Sequence, residues 1–564
     1  MAFVRWFGYW AIAAIVITTV WVCLKAFKGW RFSEVLHGGP LMAAIACATF
    51  LQIHEPRKLR VMYDEYVLVA ISLQMHLVRE ASVPNEAHYN NGNIIHSGSH
   101  VDKRPLLFAF LLSLVHDVSG YRVSNVFVLN ALISVGLFWL VFWLGEAIGG
   151  RRFGYAGMLL IAGIPLVANV ATSGAYDLLN LMLLAVLVLA ARRYAEEPTD
   201  ANQNLLVVTG VLIAQARYES ILFLLSIAAV VAVVWWRNRR IELTWLAIFS
   251  PLMILLPLLL NFVYISNDAF FENKKLGVAF FDVANLPRNL SHAVYYFFDL
   301  SRYLTNSPLV SFAGFAALLL LIVGARTLLK KESARLHVLL VIFAFLPIIV
   351  GNAVMILTNF WGLFDDPMAS RFSLPLQLFM VLAILAVVAQ FKAQGRAATI
   401  LTVIAGFSIW AWTIPTSGRH HATSRMFASM AVEWQVSQAL ERFDFRTLVV
   451  ADSALPLVVN RRPVVPFLAF NRSPQRFQDL ATKGDYDQIV FYEMFHKDPE
   501  TGVETPQASI PPPMNLILEP LFETRFYEGY VSRFSRLVGF KEVSASVEPV
   551  HESSAAPTTD KVAP

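Results

Sequence analysis

Tyr63-Asp64-Glu65 and Asp102-Lys103-Arg104-Pro105 bracket the stretch, 63–105, on whose reading the fold turns. Behind the first motif runs an apolar segment, 66–78, that places Leu68, Ile71, Met75 and Val78 on one helical face, with Glu65, Ser72 and Arg79 elsewhere. A polar segment rich in His, Asn and Gly follows and leads to the second motif. Almost everything around this stretch reads as membrane. Packing alone does not call for a carboxylate pair and a cationic cluster in one long loop of such a chain. The loop is therefore read as the carrier of chemistry, and the surrounding helices as what holds it at the bilayer surface.

The totals support that division. Of 564 residues, 57% are hydrophobic and only 15% are charged, and the mean hydropathy is +0.56. Soluble chains carry about 25% charged residues, so the composition places this one in a bilayer. Cys23 and Cys47 both fall in apolar runs and offer neither a disulfide framework nor metal-ligand spacing. The net charge of +5 comes from basic residues clustered in short loops. That pattern orients membrane helices and is not a nucleic-acid surface. The run 7–24 lacks a strongly basic start and a small-x-small cleavage site, so it is read as a membrane helix and not a signal peptide.

A span needs about 17–25 apolar residues. Spans are predicted near 7–24, 123–147, 153–171, 241–265, 308–325, 337–357, 372–391 and 397–414, with shorter ones at 40–53, 177–191, 204–217 and 220–236. Basic connectors at 25–31, 151–152, 192–193, 237–240, 326–335 and 392–396 all fall on one side if these spans alternate strictly, which makes that side cytoplasmic. The loops 54–122, 172–176, 217–219, 266–307 and 358–371, and everything after 415, then face out. The run 106–115 meets His116-Asp117 too soon to cross, and is expected to lie in the outer interface, as is 66–78. Short β-prone runs at 447–451, 463–470 and 488–492 follow the last span. The expected architecture is an all-α polytopic transmembrane bundle of about 12 spans over 1–415. A small extracytoplasmic α/β domain at 416–540 and a disordered Ser/Ala/Pro/Glu-rich tail at 541–564 complete it.

Several outer residues could carry chemistry. Asp64 and Glu65 suit the first turn of a helix, and a surface carboxylate also suits a general base. Asp177, in Ala175-Tyr176-Asp177-Leu178, is placed at the outer end of a span, because a charge at mid-bilayer costs about 2.5–3.5 kcal/mol. Lys103 and Arg104, a point charge and a bidentate fork, both suit phosphate. Attraction to anionic headgroups is the alternative, but that is chiefly a cytoplasmic feature. Arg217 and Glu219 sit at the tip of a hairpin, where they can pair with each other or with Asp177. Arg371 heads a span from outside and can reach the same chamber. His88, His96 and His100 invite a metal reading, but Ser97-Gly98-Ser99 is a poor helix, so the spacing of the last two fixes no geometry. No nucleotide-binding glycine loop and no nucleophile elbow is present.

Taken in order, these motifs resemble the GT-C superfamily of polytopic glycosyltransferases, in the branch of the lipid A aminoarabinose transferase and the protein O-mannosyltransferases. The resemblance covers 40–236, with a weaker echo at 358–375. Tyr63-Asp64-Glu65 is similar to the acidic pair opening that family's first outer loop. Asp102-Lys103-Arg104-Pro105-Leu106 looks like its Glu-Lys-Pro-Pro-Leu motif with two substitutions, and Arg371-Phe372-Ser373-Leu374-Pro375 like its Arg-Tyr-x-x-Pro pattern. Asp177 corresponds to a later acid. The resemblance implies transfer of a sugar from a polyprenyl-phosphate donor, with inversion, to a glycolipid, polysaccharide or protein acceptor. The expected location is a bacterial inner membrane with the site facing the periplasm or exterior. Asp64, Glu65 and Asp177 become the catalytic candidates. Lys103, Arg104 and Arg371 become the donor-phosphate candidates, supported by Tyr63, Asp102, Arg217 and Glu219. A divalent metal stays a candidate cofactor, since some members of the superfamily use one and others do not. Two departures stand out: an extra helix precedes the family's first span, and Arg104 replaces a proline of the motif.

Two other classes compete. A transporter or flippase for a lipid-linked or anionic solute would use the same charges for binding, but would place them at mid-membrane on broken helices. A non-catalytic scaffold would have no need of Asp64, Lys103 and Asp177.

Overall fold

A computed structural model describes residues 2–26, 38–60, 64–266, 281–330, 336–416, 427–508, 516–526 and 529–541. The chain forms two compact units, 1–443 with 453–464, and 444–452 with 465–564.

The first unit is a helical membrane bundle. Among the described residues, nine helices are long and apolar enough to cross a bilayer: Phe3–Ala26, Asn125–Gly149, Asp177–Glu196, Tyr218–Asn238, Trp245–Tyr264, Pro308–Ala325, Leu340–Thr358, Ser370–Val388 and Gln394–Thr416. A bent pair, Arg151–Ala162 and Pro165–Ala171, forms a further broken span. With Gly38–His54 and Asp200–Ala214, every segment expected to span is helical. Lys28, Arg31 and the connector 331–335 lie outside the described residues.

The broken span shows how the bundle handles free backbone groups. Pro165 lacks an N–H and holds Ile164 extended at φ −99° and ψ 108°, so the helix turns by 76° there. The groups released at the break find partners in the protein. The Thr413 hydroxyl donates to the Gly163 carbonyl at 2.9 Å, and the Leu166 N–H donates to the Thr305 carbonyl at 3.0 Å. Nearby, the hairpin of Asn125–Gly149 and Arg151–Ala162 is drawn close by small residues. A Cβ on Gly145 would lie 2.5 Å from the Phe153 carbonyl oxygen, so nothing larger than glycine fits.

The two ends of the bundle differ as the charge pattern requires. At one end Arg193 donates to the Ala26 carbonyl (3.5 Å) and Arg152 to that of Gly395 (3.2 Å), joining connectors assigned to the cytoplasm. The outer loops meet at the other end. There the helix Asp64–Val78 departs from its expected interfacial character. Glu65 and every residue from Val67 to Met75 are buried, so the helix is enclosed on all sides. It packs against Leu107–Ser119 and against the short helix Leu455–Val459, whose last carbonyl accepts from the Tyr121 hydroxyl at 2.6 Å. The polar segment that follows is a β-hairpin, Glu86–Asn90 with Asn93–Ser97. Asn91 (φ 46°) and Gly92 (φ 85°) supply the two left-handed positions of its turn.

The second unit is a mixed sheet. Thr447–Ala451 runs parallel to Gln488–Lys497, which pairs antiparallel with Tyr530–Phe540, and that in turn with Leu516–Arg525. Phe467 and Phe470 pack against Phe491, and Phe477 stacks on Phe470. The β-prone runs 447–451 and 488–492 are strands, whereas 463–470 is strand only over Val464–Pro466 and turns helical at Phe467. The long hairpin of Leu516–Arg525 and Tyr530–Phe540 does not stand out in the sequence, because its outward positions are charged pairs such as Glu519 with Arg536 and Glu523 with Arg533.

One buried histidine generates a stability prediction. His116 accepts from the Asn125 amide (2.9 Å) and meets the Ser72 hydroxyl (3.2 Å), which itself donates to the Val69 carbonyl. Both ring nitrogens are thus committed to the neutral form. Burial, reinforced by neighbouring His76 and opposed by Asp117, pushes the pKa down to about 4. Between that value and the ordinary 6.5, the unfolded chain binds a proton that the folded one does not. Stability therefore falls as pH drops through this window. The thermal midpoint of detergent-solubilised protein is expected to decline from pH 6.5 towards pH 4, and His116→Gln to flatten that slope.

Candidate active site

Seven charged side chains from separate parts of the sequence form one alternating string at the outer end of the membrane unit. Asp64 opens the helix Asp64–Val78. Its Oδ1 accepts from Arg104 Nε at 3.0 Å and Nη2 at 2.5 Å, and its Oδ2 from Arg371 Nη2 at 2.6 Å. Arg104 Nη1 donates to both carboxylate oxygens of Asp102 at 2.8 Å. Arg371 Nη1 reaches Asp177 Oδ2 at 3.5 Å, and the other oxygen of Asp177 accepts from Arg217. Arg217 Nε then donates to Glu219 at 2.7 Å. In order, the string runs Asp102, Arg104, Asp64, Arg371, Asp177, Arg217, Glu219.

Local structure aims each member. Arg371 sits in the short turn Ser370–Ser373, just ahead of a helix with proline in its first turn. Asp177 starts its own helix, and the preceding turn is held by the Asn130 amide on the carbonyls of Ser173 (2.7 Å) and Ala175 (3.1 Å). Arg217 lies between the rings of Tyr176 and Phe372, with centroids at 5.1 and 4.6 Å. Asp177 and Arg217 are 2% and 3% exposed, so each buried charge needs its partner to offset the lost hydration. A narrow cleft lined by Asp177, Asn180, Arg217, Glu219, Arg371 and Phe372 lies beside them.

The electrostatics follow from the string. Burial opposes ionisation of Asp64, but Arg371 and Arg104 outweigh it and hold the carboxyl well below the usual carboxylate range. Burial likewise works against the Arg104 charge, and Asp102 and Asp64 overcome it. Lys103 is different. Burial and then the neighbouring Arg104 lower its pKa, its Nζ lies 5.2 Å from the Tyr264 ring centroid, and among the described residues it has no carboxylate partner.

Of the residues singled out from sequence, Tyr63 lies outside the described residues. Glu65 turns away from the string, fully buried, and accepts from the Arg60 backbone N–H at 2.9 Å. Arg60, which sequence reading passed over, donates to Thr172 Oγ1 (2.8 Å), to the Pro56 carbonyl (2.6 Å) and to the Asn169 carbonyl. Glu65 and Arg60 thus fasten the segment leading to Asp64 onto the turn leading to Asp177. The signal for Arg60 was the cluster Glu55-Pro56-Arg57-Lys58-Leu59-Arg60 directly after a span.

The string does not suit a divalent cation. Asp64, Asp102 and Asp177 each face a guanidinium, and among the described residues no three His, Cys, Asp or Glu side chains converge. His88 instead pairs with Glu86 on the hairpin at 3.0 Å.

Residues 103–261 match the family model described as dolichyl-phosphate-mannose-protein mannosyltransferase. The fold is similar to that of ArnT from Cupriavidus metallidurans bound to undecaprenyl phosphate, at 12% identity and a TM-score of 0.52, covering 89% of this chain and 98% of that one. Weaker likenesses are to an oligosaccharyltransferase of Archaeoglobus fulgidus in complex with zinc and sulfate, and to the arabinosyltransferase EmbB of Mycobacterium smegmatis. The first has 13% identity and a TM-score of 0.43, over 83% of this chain and 73% of that one. The second has 11% identity and a TM-score of 0.36, over 73% and 44%. No curated protein matches the chain. The family match over 103–261 and the ArnT-like fold agree on one class: both are similar to polytopic membrane glycosyltransferases of the GT-C type. The resemblance drawn from the acidic, basic and arginine motifs is borne out, and the chain is an integral multi-pass membrane protein.

Removing one partner of the most deeply buried pair, Asp177 and Arg217, strands a buried charge, at a cost of about 3–5 kcal/mol. Arg217→Gln is expected to lower the thermal midpoint sharply, and Arg217→Gln combined with Asp177→Asn to recover part of the loss. Lys103→Gln, which breaks no ion pair among the described residues, is expected to leave the midpoint nearly unchanged.

Proposed function

We propose that this protein transfers a sugar from a polyprenyl-phosphate donor to an acceptor at the extracytoplasmic face of the membrane, with Asp64 as general base. The observation that carries the reading is the convergence of Asp64, Arg104, Arg371 and Asp177 in one charged string with Lys103 beside it. That ArnT, of similar fold, was crystallised with undecaprenyl phosphate supports the donor class.

The chemistry asks little of the protein beyond placement and charge. The acceptor oxygen or nitrogen forms a bond to the anomeric carbon as the bond from that carbon to the phosphate oxygen breaks. The electron pair leaves with the phosphate, which becomes a more highly charged anion, and the acceptor's proton passes to Asp64. Attack from the face opposite the phosphate inverts the anomeric centre. Lys103, Arg104 and Arg371 hold the phosphate, and Asp177 fixes Arg371. An isoprenoid tail explains a site at the bilayer rim. A transporter would place its charges at mid-membrane, whereas these gather at one end of the bundle.

The test uses purified protein, labelled polyprenyl-phosphate sugars and extracted membrane acceptors. Asp64→Asn is expected to reduce transfer by about 10²- to 10⁴-fold with insertion and folding intact. Lys103→Gln is expected to raise KM for the donor more than it lowers kcat. Transfer by Asp64→Asn at the wild-type rate removes Asp64 from the role of base. Solute flux into vesicles without any new glycosidic bond would mark a transporter.

A further inference from the structure

The site is closed on itself. Both oxygens of Asp64 are taken up by the guanidinium groups best placed to receive a phosphate, at 2.5 and 3.0 Å from Arg104 and 2.6 Å from Arg371. A carboxylate held by two forks is a poor proton acceptor, and forks filled by a carboxylate cannot bind a phosphate. The reaction needs the opposite arrangement in both respects. Resting on the function proposed above, we propose that Asp64 serves as an internal stand-in for the donor phosphate. Phosphate binding displaces its carboxylate from Arg104 and Arg371, and so frees the base only when the donor is in place.

Three further observations agree. Lys103, with no carboxylate partner among the described residues, offers a first contact for the incoming anion. Arg371 Nε is buried without an acceptor among the described residues, so its fork has a donor to spare when a second anion arrives. Asp102 keeps its hold on Arg104 through Nη1 and the backbone N–H (2.9 Å), which leaves Nε and Nη2 free to exchange one anion for another without losing the side chain's position. The arrangement also protects an activated sugar: until the phosphate arrives, Asp64 is not available to activate water.

The binding test follows directly. A site occupied by its own side chain binds ligand more weakly, by the fraction of time it is open. Undecaprenyl phosphate is titrated into wild type, Asp64→Asn and Asp177→Asn in detergent, with inorganic phosphate as a second probe. Asp64→Asn is expected to bind both probes about tenfold more tightly than wild type although it transfers sugar far more slowly. Asp177→Asn removes the same charge from the string but, of Arg104 and Arg371, touches only Arg371, at 3.5 Å, its other oxygen facing Arg217, and is expected to gain less than about threefold. Affinity in Asp64→Asn equal to or below wild type, or an equal gain in Asp177→Asn, overturns the proposal. Failure of undecaprenyl phosphate to bind any of the three proteins overturns the donor assignment instead. A second measurement on wild type avoids the variants altogether. Labelling of Asp64 by a hydrophobic carbodiimide, read by mass spectrometry, is expected to rise severalfold when undecaprenyl phosphate is added. Unchanged or reduced labelling overturns the displacement.

Discussion

Alternation of charge is the constraint on which the outer half of this protein depends. Asp177 and Arg217 lie almost wholly out of solvent, and no single ion pair in such a place offsets the loss of hydration of both partners. A string in which each interior member is flanked by two of opposite sign comes closer. Each arginine fork divides its donors between two carboxylates, and each interior acid divides its oxygens between two forks. The consequence is mutual positioning. The helix starts at Asp64, Asp177 and Ser370 and the loop at 102–104 are held by one network, so moving one moves the rest.

The latch behind the string matters as much as the string. Arg60 spends its donors on Thr172 and on the carbonyls of Asn169 and Pro56, while Glu65 caps its backbone N–H. None of these groups faces the cleft. They fix the approach of two chain segments, from 60 and from 172, that deliver Asp64 and Asp177 to Arg371 from different directions. Adjacent acids in the sequence thus divide the labour: Asp64 faces the arginines, and Glu65 anchors the backbone that carries it.

How much was legible follows from what each feature depends on. The spans and their alternation rest on composition and on Lys/Arg placement, both of which are local, and the helices appear where those signals put them. The convergence of Asp64, Asp177 and Arg371 could be read because all three were assigned to one face, which narrows the space they share. What could not be read depends on contacts distant in sequence. The enclosure of Asp64–Val78 comes partly from Leu455–Val459, nearly 400 residues on, and nothing in the periodicity of 66–78 reports it. Glu65 looked equivalent to Asp64 because sequence does not show which way a helix start is rotated. The hairpin at 86–97 was within reach: Asn91-Gly92 is a strong turn signal, passed over because its flanking strands are polar.

The broken span carries a consequence for biogenesis. At Gly163 and Leu166 the helix surrenders a carbonyl and an N–H, and the hydroxyl that donates to the first and the carbonyl that accepts from the second belong to residues 413 and 305. During synthesis the segment around Pro165 enters the bilayer long before either partner has been made. Its exposed carbonyl and amide must rest against water or the insertion machinery in the meantime. Only when the final helix emerges does the last of these groups find its permanent mate. Completion of the bundle is therefore coupled to the end of translation of the membrane region, and truncation before residue 413 would leave a defect in the middle of an otherwise assembled protein.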